Sequence, residues 1–194
     1  MNDFRPLNPA TTALLLMDLQ PSIVAMHPDS DAFLAALARV REAARAAGLT
    51  IGYVRVALTE EDAARVSPNN LSFFSAAETG RLSDADPATQ VDPRIRPADG
   101  EIVVRKSRVG AFSTTDLREQ LAARGIDTIV LTGIATSGVV LSTVRDAADR
   151  DFRVIVLSDG VFDRDPEVHR VLTEKLFPRQ AEVVTMDEFV TALA

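Results

Sequence analysis

The sequence predicts an α/β protein built on a parallel β-sheet with helices on both faces. Short apolar, β-branched runs alternate along the chain with segments whose apolar residues recur at helical spacing. Several of these runs are continuously apolar, which is typical of strands buried on both faces of a sheet. Since parallel strands joined by helices follow right-handed crossovers, we expect their carboxyl ends to meet at one edge of the sheet.

Length and composition fit one globular domain, residues 1–194. The chain has 194 residues, of which 46% are hydrophobic and 25% are charged, so a core of ordinary size is expected. The net charge of −7 disfavours general binding to nucleic acids. The absence of cysteine excludes disulfides, thiolate metal sites and a cysteine nucleophile.

The sequence indicates neither membrane insertion nor secretion. No apolar run approaches the length of a transmembrane helix. Residues 1–6 lack the charged and then apolar layout of a signal peptide. We therefore expect a cytoplasmic protein without membrane partners.

The first half of the chain contains three predicted strands and one well-marked helix. Thr12–Asp18 is an apolar run that ends in a carboxylate, and Thr50–Val56 is a second apolar run. Between them, Asp29–Ala47 places apolar residues along one helical face, with N-cap oxygens before it and Gly48 after it. Glu101–Lys106 is the third predicted strand.

A long region, Ala57–Gly100, separates the second and third predicted strands. It contains several prolines and the pair Phe73-Phe74, with little periodicity. A segment of this length is usually functional, or it forms partly helical covering structure.

The second half of the chain continues the alternation of strand and helix. The predicted elements are a helix at Thr115–Arg124, a strand at Asp127–Thr132, a helix after Gly138, a strand at Arg153–Leu157, a helix at Asp165–Leu176, a strand at Ala181–Val184 and a helix at Met186–Leu193. The pair Asp165-Pro166 supports the start of its helix, because proline suits the first helical position.

The segment from Asp127 to Asp146 is the candidate site of chemistry. Gly133 and Gly138 bracket a sharp turn from strand to helix, which presents unpaired N–H groups and the positive end of a helix dipole. Asp18 and Lys106 end two other predicted strands. Because ligands bind at the carboxyl edge of such sheets, we expect these three features to lie together.

Three motifs resemble those of the isochorismatase-like hydrolases, also called the cysteine hydrolase superfamily. They are Asp18-Leu19-Gln20, the stretch from Val103 to Phe112 around Lys106, and Leu131–Thr136 leading to Thr143–Ala147. The resemblance spans Thr12 to about Asp159. It implies a three-layer α/β/α fold with strand order 3-2-1-4-5-6, in which the first strand lies beside the fourth and Asp18 faces the central turn.

The resemblance also implies a role for each motif. The residue matching Asp18 is the acid/base of the family, and the one matching Lys106 orients and tunes it. A cysteine at the start of the helix is the nucleophile, and a cis peptide matching Ile134–Ala135 helps to shape an oxyanion hole.

This sequence departs from the family pattern at the nucleophile. An ungapped alignment on Gly133, Thr143 and Asp146 puts Val139 at that position, and a valine cannot attack a carbonyl. Amide hydrolysis through a thioester is therefore not expected. The resemblance supplies one precedent: family members that hydrolyse the vinyl ether of isochorismate carry glycine there and use protonation by the aspartate.

The catalytic candidates are thus Asp18, Lys106 and the position of Val139. The candidate substrate-binding residues are Gln20, Arg55, Phe112, Ile134, Ala135, Thr136 and Gly138. Each candidate also has a structural interpretation. Asp18 and Lys106 form either a site or a buried ion pair, and Gln20 either binds substrate or caps a loop.

The basic and aromatic candidates are equally open. The cluster formed by Arg105, Lys106 and Arg108 is either a solvated face or a binding site for a substrate carboxylate, and Arg55 carries the same alternatives. Phe112 either packs in the core or lines the pocket.

Other site types fit the sequence less well. Gly133–Gly138 lacks the lysine that a P-loop needs. Ser137, followed by Asp159 or Asp163 and then His169, has the residue order of an α/β-hydrolase triad but not its local motif. With only two histidines and no cysteine, we expect no metal site, and we expect no cofactor.

Three functions remain open at this point. The first is a hydrolase that uses Asp18 and Lys106 on a small molecule. The second is a binding protein that kept the pocket and lost the nucleophile. The third is a serine hydrolase built on Ser137. We also expect a homodimer or a larger homo-oligomer, because the second half of the chain has more apolar residues than a thin sheet needs and the family commonly self-associates. These residues are Val140, Val144, Ile155, Val161 and Phe162.

Overall fold

The molecule is organised around six parallel strands. The structure is a computed structural model that describes residues 5–193. Its strands are β1 (Thr12–Met17), β2 (Thr50–Val56), β3 (Ile102–Lys106), β4 (Thr128–Ile134), β5 (Arg153–Phe162) and β6 (Glu182–Val184). All five pairings are parallel and the order is β3-β2-β1-β4-β5-β6, which confirms the predicted fold class and strand order.

Helices cover both faces of this sheet. They are α1 (Pro21–Val24), α2 (Ser30–Ala46), α3 (Glu60–Ala64), α4 (Leu71–Thr79), α5 (Leu117–Ala123), α6 (Leu141–Ala148), α7 (Pro166–Val171) and α8 (Met186–Ala192). Within residues 5–193, no helix has the length and apolar character needed to cross a membrane.

The central strands are buried on both faces, as their continuous apolar sequences predict. Every residue of β1 and of β4 is buried. Leu15 and Leu131 belong to the apolar cluster that includes α5 and α6 residues, whereas Leu14 and Leu16 belong to the cluster that includes α2 and α8 residues. The alternation of side chains along each strand therefore divides the core into two layers.

The helix α2 begins and ends where its sequence predicts. Asp29 caps it by accepting a hydrogen bond from the Ala32 N–H at 3.2 Å. Its buried face consists of the five residues Phe33, Leu34, Leu37, Val40 and Ala44. Gly48, just beyond its end, has a φ of +85°, a conformation that glycine adopts without strain.

The long region between β2 and β3 is covering structure with its own small core. It contains α3 and α4, and Leu58, Val66 and Phe73 form an apolar cluster with Val56 at the end of β2. A reciprocal capping box between Thr59 and Asp62 starts α3. The expectation of a partly helical cover is therefore confirmed by the structure.

Two elements differ from the sequence prediction. The strand β5 continues to Phe162 and not to Leu157, because Val161 and Phe162 pair with Gly133 and Ile134 after an irregularity in β4. The predicted helix Asp165–Leu176 is interrupted: α7 ends at Val171 and a π-helical turn, Leu172–Leu176, follows it.

The apolar residues that suggested self-association are accounted for within one chain. Val140, Val144, Ile155 and Val161 are all buried in the core, and Phe162 is partly buried against it. Homo-oligomer formation stays a prediction that rests on the family resemblance alone.

The backbones of β1 and β4 are in close contact at Met17 and Gly133. Gly133 has a φ of +128°, and a Cβ atom added there would lie 2.0 Å from the Met17 carbonyl oxygen. Real Cβ atoms do not approach a backbone atom this closely, so the contact excludes every residue except glycine.

We therefore expect Gly133→Ala to destabilise the fold by at least about 3 kcal/mol, because steric overlap adds to the cost of the positive φ. Gly125→Ala is the matched control: Gly125 has a φ of +67°, but no heavy atom lies within 4 Å of its added Cβ. Its cost should be about 1–2 kcal/mol. Urea denaturation compares the two variants, and equal losses would contradict the steric argument.

Candidate active site

Asp18 lies at the carboxyl end of β1, directly after the contact between Met17 and Gly133. Its φ of +54° places it in the left-handed region, which non-glycine residues seldom occupy. Its backbone N–H donates to the Val54 carbonyl of β2 at 2.7 Å. The strained backbone is therefore held in place by the neighbouring strand.

The Asp18 carboxylate forms a buried ion pair with Lys106, the last residue of β3. The Lys106 Nζ lies 2.8 Å from Oδ2 of Asp18, and the two side chains are only 2% and 7% exposed. Lys106 Nζ also donates to the Arg108 carbonyl at 3.2 Å. The second carboxylate oxygen, Oδ1, is buried and accepts no hydrogen bond from any residue between 5 and 193.

An unsatisfied buried oxygen costs free energy, and such atoms are rare in folded proteins. The pair thus fixes one oxygen of Asp18 and leaves the other available. An available carboxylate oxygen can accept or donate a proton, so the arrangement suits acid–base chemistry.

The ionisation of Asp18 is shifted by its surroundings. Burial raises the pKa of this carboxyl above its ordinary value, and the nearby Lys106 charge and hydrogen bond only partly offset the effect. A carboxyl whose pKa is raised keeps its proton to higher pH, which is typical of groups that transfer protons in enzymes.

The turn after β4 adopts the sharp geometry that its glycines predict. The peptide bond between Ile134 and Ala135 is cis, as the resemblance implied. The following residues, Thr136–Val140, form a π-helical turn in which Gly138 has the non-helical angles φ −99° and ψ −106°. The N–H groups of Gly138 and Val140, which flank Val139, donate to the Ala135 carbonyl at 3.0 and 3.3 Å.

Val139 is buried at this turn, just before α6. Its side chain is 2% exposed and belongs to the apolar cluster that includes Met17, Ala111 and Phe112. The residue that the sequence alignment places at the nucleophile position therefore supplies apolar contact and no reactive group.

Two side chains from the segment after β5 hold the turn from outside. Oγ1 of Thr136 lies 2.9 Å from Nδ1 of His169, and the Ser137 N–H donates to Asp163 Oδ2 at 2.8 Å. Although burial acts to raise it, the pKa of Asp163 is held below its ordinary value by hydrogen bonds from Ser137 and Asp165 and by the nearby His169.

These contacts do not favour the serine-hydrolase interpretation. A Ser137 nucleophile requires a hydrogen bond from its hydroxyl to His169, but His169 is bonded to Thr136 instead. The segments that the triad order joins do lie together, but the observed contacts link His169 to Thr136 and Asp163 to the Ser137 N–H. The sequence did not predict the contact between Thr136 and His169. The two residues are far apart in the chain, and no known sequence motif pairs them.

Two candidate substrate-binding residues are occupied by contacts within the chain. The amide nitrogen of Gln20 donates to the carbonyls of Val56 and Thr89, at 2.9 and 2.7 Å, and its oxygen accepts from the Val56 N–H at 2.8 Å. Gln20 is fully buried. Arg55 forms an ion pair of 2.7 Å with Asp84. These contacts favour the structural interpretation of both residues.

The ring contacts of Phe112 are with residues beyond the carboxyl end of α6. Its ring stacks on Phe152 with a centroid separation of 5.8 Å, and the Arg150 guanidinium lies 5.4 Å from its centre. Both partners follow the carboxyl end of α6, whereas Gly138 precedes its amino end. The structure therefore favours core packing over a role for Phe112 in the pocket wall.

The remaining turn candidates do lie beside the Asp18 edge of the sheet. Met17, which precedes Asp18, pairs with Gly133, and Ile134 and Ala135 follow at once. Ile134 and Thr136 are buried, while Ala135 and Gly138 are half-buried. The sheet thus brings Asp18, Lys106 and the turn to the same edge, as the strand ends predicted.

Comparison with known proteins identifies this arrangement. The isochorismatase domain family matches residues 12–188 of the chain. The chain belongs to the isochorismatase family. It is accordingly a hydrolase by family, with the parallel sheet and strand order of its structural neighbours.

The family relationship extends over nearly the whole chain. The isochorismatase family protein YwoC of Bacillus subtilis is 36% identical over 179 residues, which cover 92% of each chain. The N-carbamoylsarcosine amidase of an Arthrobacter species is 34% identical over 149 residues, and this match covers 77% of the present chain but 56% of that amidase.

Solved structures of two other hydrolases show the same fold. A cysteine hydrolase from Pseudomonas syringae pv. phaseolicola superposes with a TM-score of 0.83 at 25% identity, covering 97% of this chain and 95% of that one. The N-carbamoylsarcosine amidase of Thermoplasma acidophilum gives a TM-score of 0.74 at 28% identity, covering 91% and 97%.

The raised pKa of Asp18 predicts how stability depends on pH. Because the folded pKa lies above the unfolded value, the neutral carboxyl favours the folded state at low pH, and this contribution is lost as pH rises through the folded pKa. Asp18→Asn mimics the neutral form at every pH. We therefore expect the free energy of unfolding of Asp18→Asn, relative to the parent, to increase as pH rises from about 4, the ordinary aspartate value, through the raised folded pKa.

Urea denaturation of both proteins at several pH values measures this difference. If the attraction of Lys106 outweighed burial, the Asp18 pKa would be lowered and the difference would change with pH in the opposite direction. A decreasing difference would therefore contradict the assignment.

Proposed function

We propose that this isochorismatase-family hydrolase cleaves a small molecule by proton transfer from or to Asp18, without a covalent intermediate. The observation that carries the proposal is the asymmetric environment of the Asp18 carboxyl: Lys106 holds Oδ2 at 2.8 Å, while Oδ1 is buried without a partner. An ion pair that served stability alone would satisfy both oxygens with hydrogen bonds.

In this mechanism Lys106 orients the Asp18 carboxyl and favours its ionised form. Oδ1 of Asp18 then exchanges a proton with the substrate or with the attacking water. When the substrate is an amide, the backbone N–H groups of Ala135 and Val139 stabilise the negative charge that develops on its carbonyl oxygen as water attacks. When the substrate is a vinyl ether, protonation by Asp18 instead produces a cation, which the ionised Asp18 carboxylate stabilises until water adds. The water molecule, and not an enzyme side chain, forms the new bond to the substrate.

The burial of Val139 supports the non-covalent route. The chain contains no cysteine, and the side chain at the start of α6 is a packed valine. A thioester cannot form there. The bonds that fit direct cleavage are those weakened by protonation, such as vinyl ethers, together with activated amides that water attacks with acid–base help.

A second candidate is favoured by the same valine. In this alternative, the protein is a catalytically impaired family member that binds a small ligand at the Asp18 edge and does not turn it over. The two candidates share a pocket and differ only in whether Oδ1 of Asp18 moves a proton. Self-association of the protein stays a prediction under either candidate.

Replacement of Asp18 tests the enzymatic proposal. A panel of small amides and vinyl ethers identifies a substrate, and Asp18→Asn should then lower kcat by about 10²–10⁴-fold, because the variant keeps the shape of the side chain without its acid–base function. The measurement is the steady-state rate with purified proteins. Ser137→Ala is the control, and its rate should equal that of the parent.

The two results have different consequences. Parental activity in Asp18→Asn would sink the Asp18 mechanism, whereas a large loss in Ser137→Ala would restore the serine-hydrolase interpretation. A rate that falls as pH rises through the Asp18 pKa would assign an acid role, and a rate that rises would assign a base role.

Val139→Cys separates the enzyme from the binding protein. If the turn retains the geometry of a family that uses cysteine, the new thiol should confer amidase activity that iodoacetamide abolishes. The parent has no cysteine, so the reagent should leave any activity of the parent unchanged. A parent that is inactive on the whole panel, together with an active Val139→Cys, would favour the binding protein.

A further inference from the structure

We infer that Asp163 and His169 are positioning residues for the candidate reaction, because together they fix the turn at Thr136–Val140 from outside. The inference rests on the proposed function, which uses backbone N–H groups at this turn to stabilise charge on an amide carbonyl. It concerns the direction in which those N–H groups point. Neither side chain is assigned a contact with the substrate.

The turn has no side-chain cap within its own sequence. A side chain at the N-cap position usually accepts a hydrogen bond from the first N–H groups of a helix, but Ala135 occupies that position here. Asp163 supplies an acceptor from another part of the chain, since its Oδ2 accepts the Ser137 N–H at 2.8 Å. This bond uses the backbone of Ser137, which Ser137→Ala keeps. The direction of the first peptide groups of the turn therefore depends on a carboxylate outside it.

The sheet places Asp163 beside the turn. Phe162, the last residue of β5, pairs with Ile134, the last residue of β4, so Asp163 and Ala135 leave the sheet side by side. The other oxygen of Asp163, Oδ1, accepts the Asp165 N–H at 3.3 Å. One carboxylate thus joins the turn to the segment that begins α7.

The Asp163 carboxyl is ionised at neutral pH. Burial acts to raise the pKa of this carboxyl, but hydrogen bonds from Ser137 and Asp165 and the nearby His169 hold that pKa below its ordinary value. Hydrogen bonds to an ionised acceptor are roughly twice as strong as those between neutral groups. The carboxylate therefore holds the turn more strongly than an amide or a hydroxyl in the same place would.

His169 holds the turn through a second contact. The Thr136 side chain is fully buried, and Nδ1 of His169, at 2.9 Å, is the hydrogen-bond partner of its hydroxyl among residues 5–193. A buried hydroxyl without a partner would destabilise the turn. The imidazole ring therefore fixes the position of Thr136, next to the peptide group that Asp163 binds.

The helix α7, which carries His169, is anchored independently of the turn. Asp165 Oδ1 accepts the N–H groups of Glu167 and Val168 at 2.9 and 3.2 Å, and Pro166 occupies the start of the helix. The helix therefore has its own cap and presents His169 to the turn from a fixed position. Support of this kind matters for catalysis, because a displacement of about 1 Å can cost ~10²-fold in rate.

A matched contact elsewhere in the chain separates positioning from stability. Asp159 Oδ1 accepts the Met186 N–H at 2.7 Å, so a carboxylate from β5 also binds the first N–H of α8. α8 follows the edge strand β6, whereas the turn follows β4, which lies beside the strand that ends in Asp18. Asp163→Asn and Asp159→Asn therefore make the same chemical change at two similar bonds, and only one of these bonds involves the turn.

Hydrogen exchange tests the contacts without requiring turnover. In the intact ¹⁵N-labelled protein, Asp163→Asn should speed exchange of the amides at 136–140 roughly tenfold and leave the amides of β1 unchanged. Asp159→Asn should leave the turn unchanged and speed exchange at the start of α8. His169→Leu should resemble Asp163→Asn, whereas His169→Asn, which keeps a polar atom near the position of Nδ1, should restore most of the protection. Melting temperatures show whether each variant is folded, and Asp163→Asn carries the test if His169→Leu is not.

Turnover tests the consequence for the reaction. With an amide that the substrate panel identifies, Asp163→Asn should lower kcat roughly ten- to hundredfold with KM nearly unchanged, because the turn acts on charge that develops only in the transition state. Cleavage of a vinyl ether, which produces a cation, should not slow in this way. Asp159→Asn should turn over either substrate like the parent.

Parental exchange at 136–140 in both Asp163→Asn and His169→Leu, parental kcat of Asp163→Asn on an amide, or an equal loss of kcat in Asp159→Asn would overturn the inference. Its failure is distinct from failure of the proposed function. Parental turnover by Asp18→Asn, or a parent that turns over no compound of the panel, would refute the catalytic mechanism. The exchange measurements would still decide whether Asp163 and His169 hold the turn.

Discussion

The close contact between β1 and β4 determines the geometry of the candidate site. Gly133 leaves no room for a side chain against the Met17 carbonyl, so the two backbones meet just before one strand ends in Asp18 and the other turns toward α6. The positive φ of Asp18 then redirects the chain away from the strand. Asp18 and the turn are therefore neighbours because the backbones of β1 and β4 pack closely, and not because their side chains attract each other.

Electrostatics at this edge oppose stability and favour chemistry. Removing Asp18 and Lys106 from water costs free energy that their attraction repays only in part, and the unsatisfied Oδ1 of Asp18 adds to the cost. The left-handed backbone conformation of Asp18 lowers the stability of the fold further, because the residue is not a glycine. The central strands of the sheet are buried on both faces, and the free energy gained by this burial offsets these local costs.

The sequence was sufficient for the features that depend on local pattern. Apolar runs predicted the strands, helix caps predicted α2, and strand ends predicted that Asp18, Lys106 and the turn share an edge. The sequence was insufficient for side chains whose role depends on hydrogen bonds to residues distant in the chain. Nothing local to Gln20 indicates that its partners are Val56 and Thr89, and nothing local to Thr136 indicates His169. The extension of β5 was missed because Ser158, Asp159 and Gly160 are typical of turns, although pairing with β4 resumes after them at Val161 and Phe162.

The three hydrogen bonds of Gln20 have a consequence for how the family varies. Val56 and Thr89 lie at the two ends of the segment 57–88, and one amide group holds both ends together. The segment is therefore a closed loop whose ends stay in place whatever lies between them. Its interior can lengthen, shorten or change sequence at small entropic cost, without moving β1 or β2. Natural variation can thus remodel the cover of the site while the residues beneath it keep their positions.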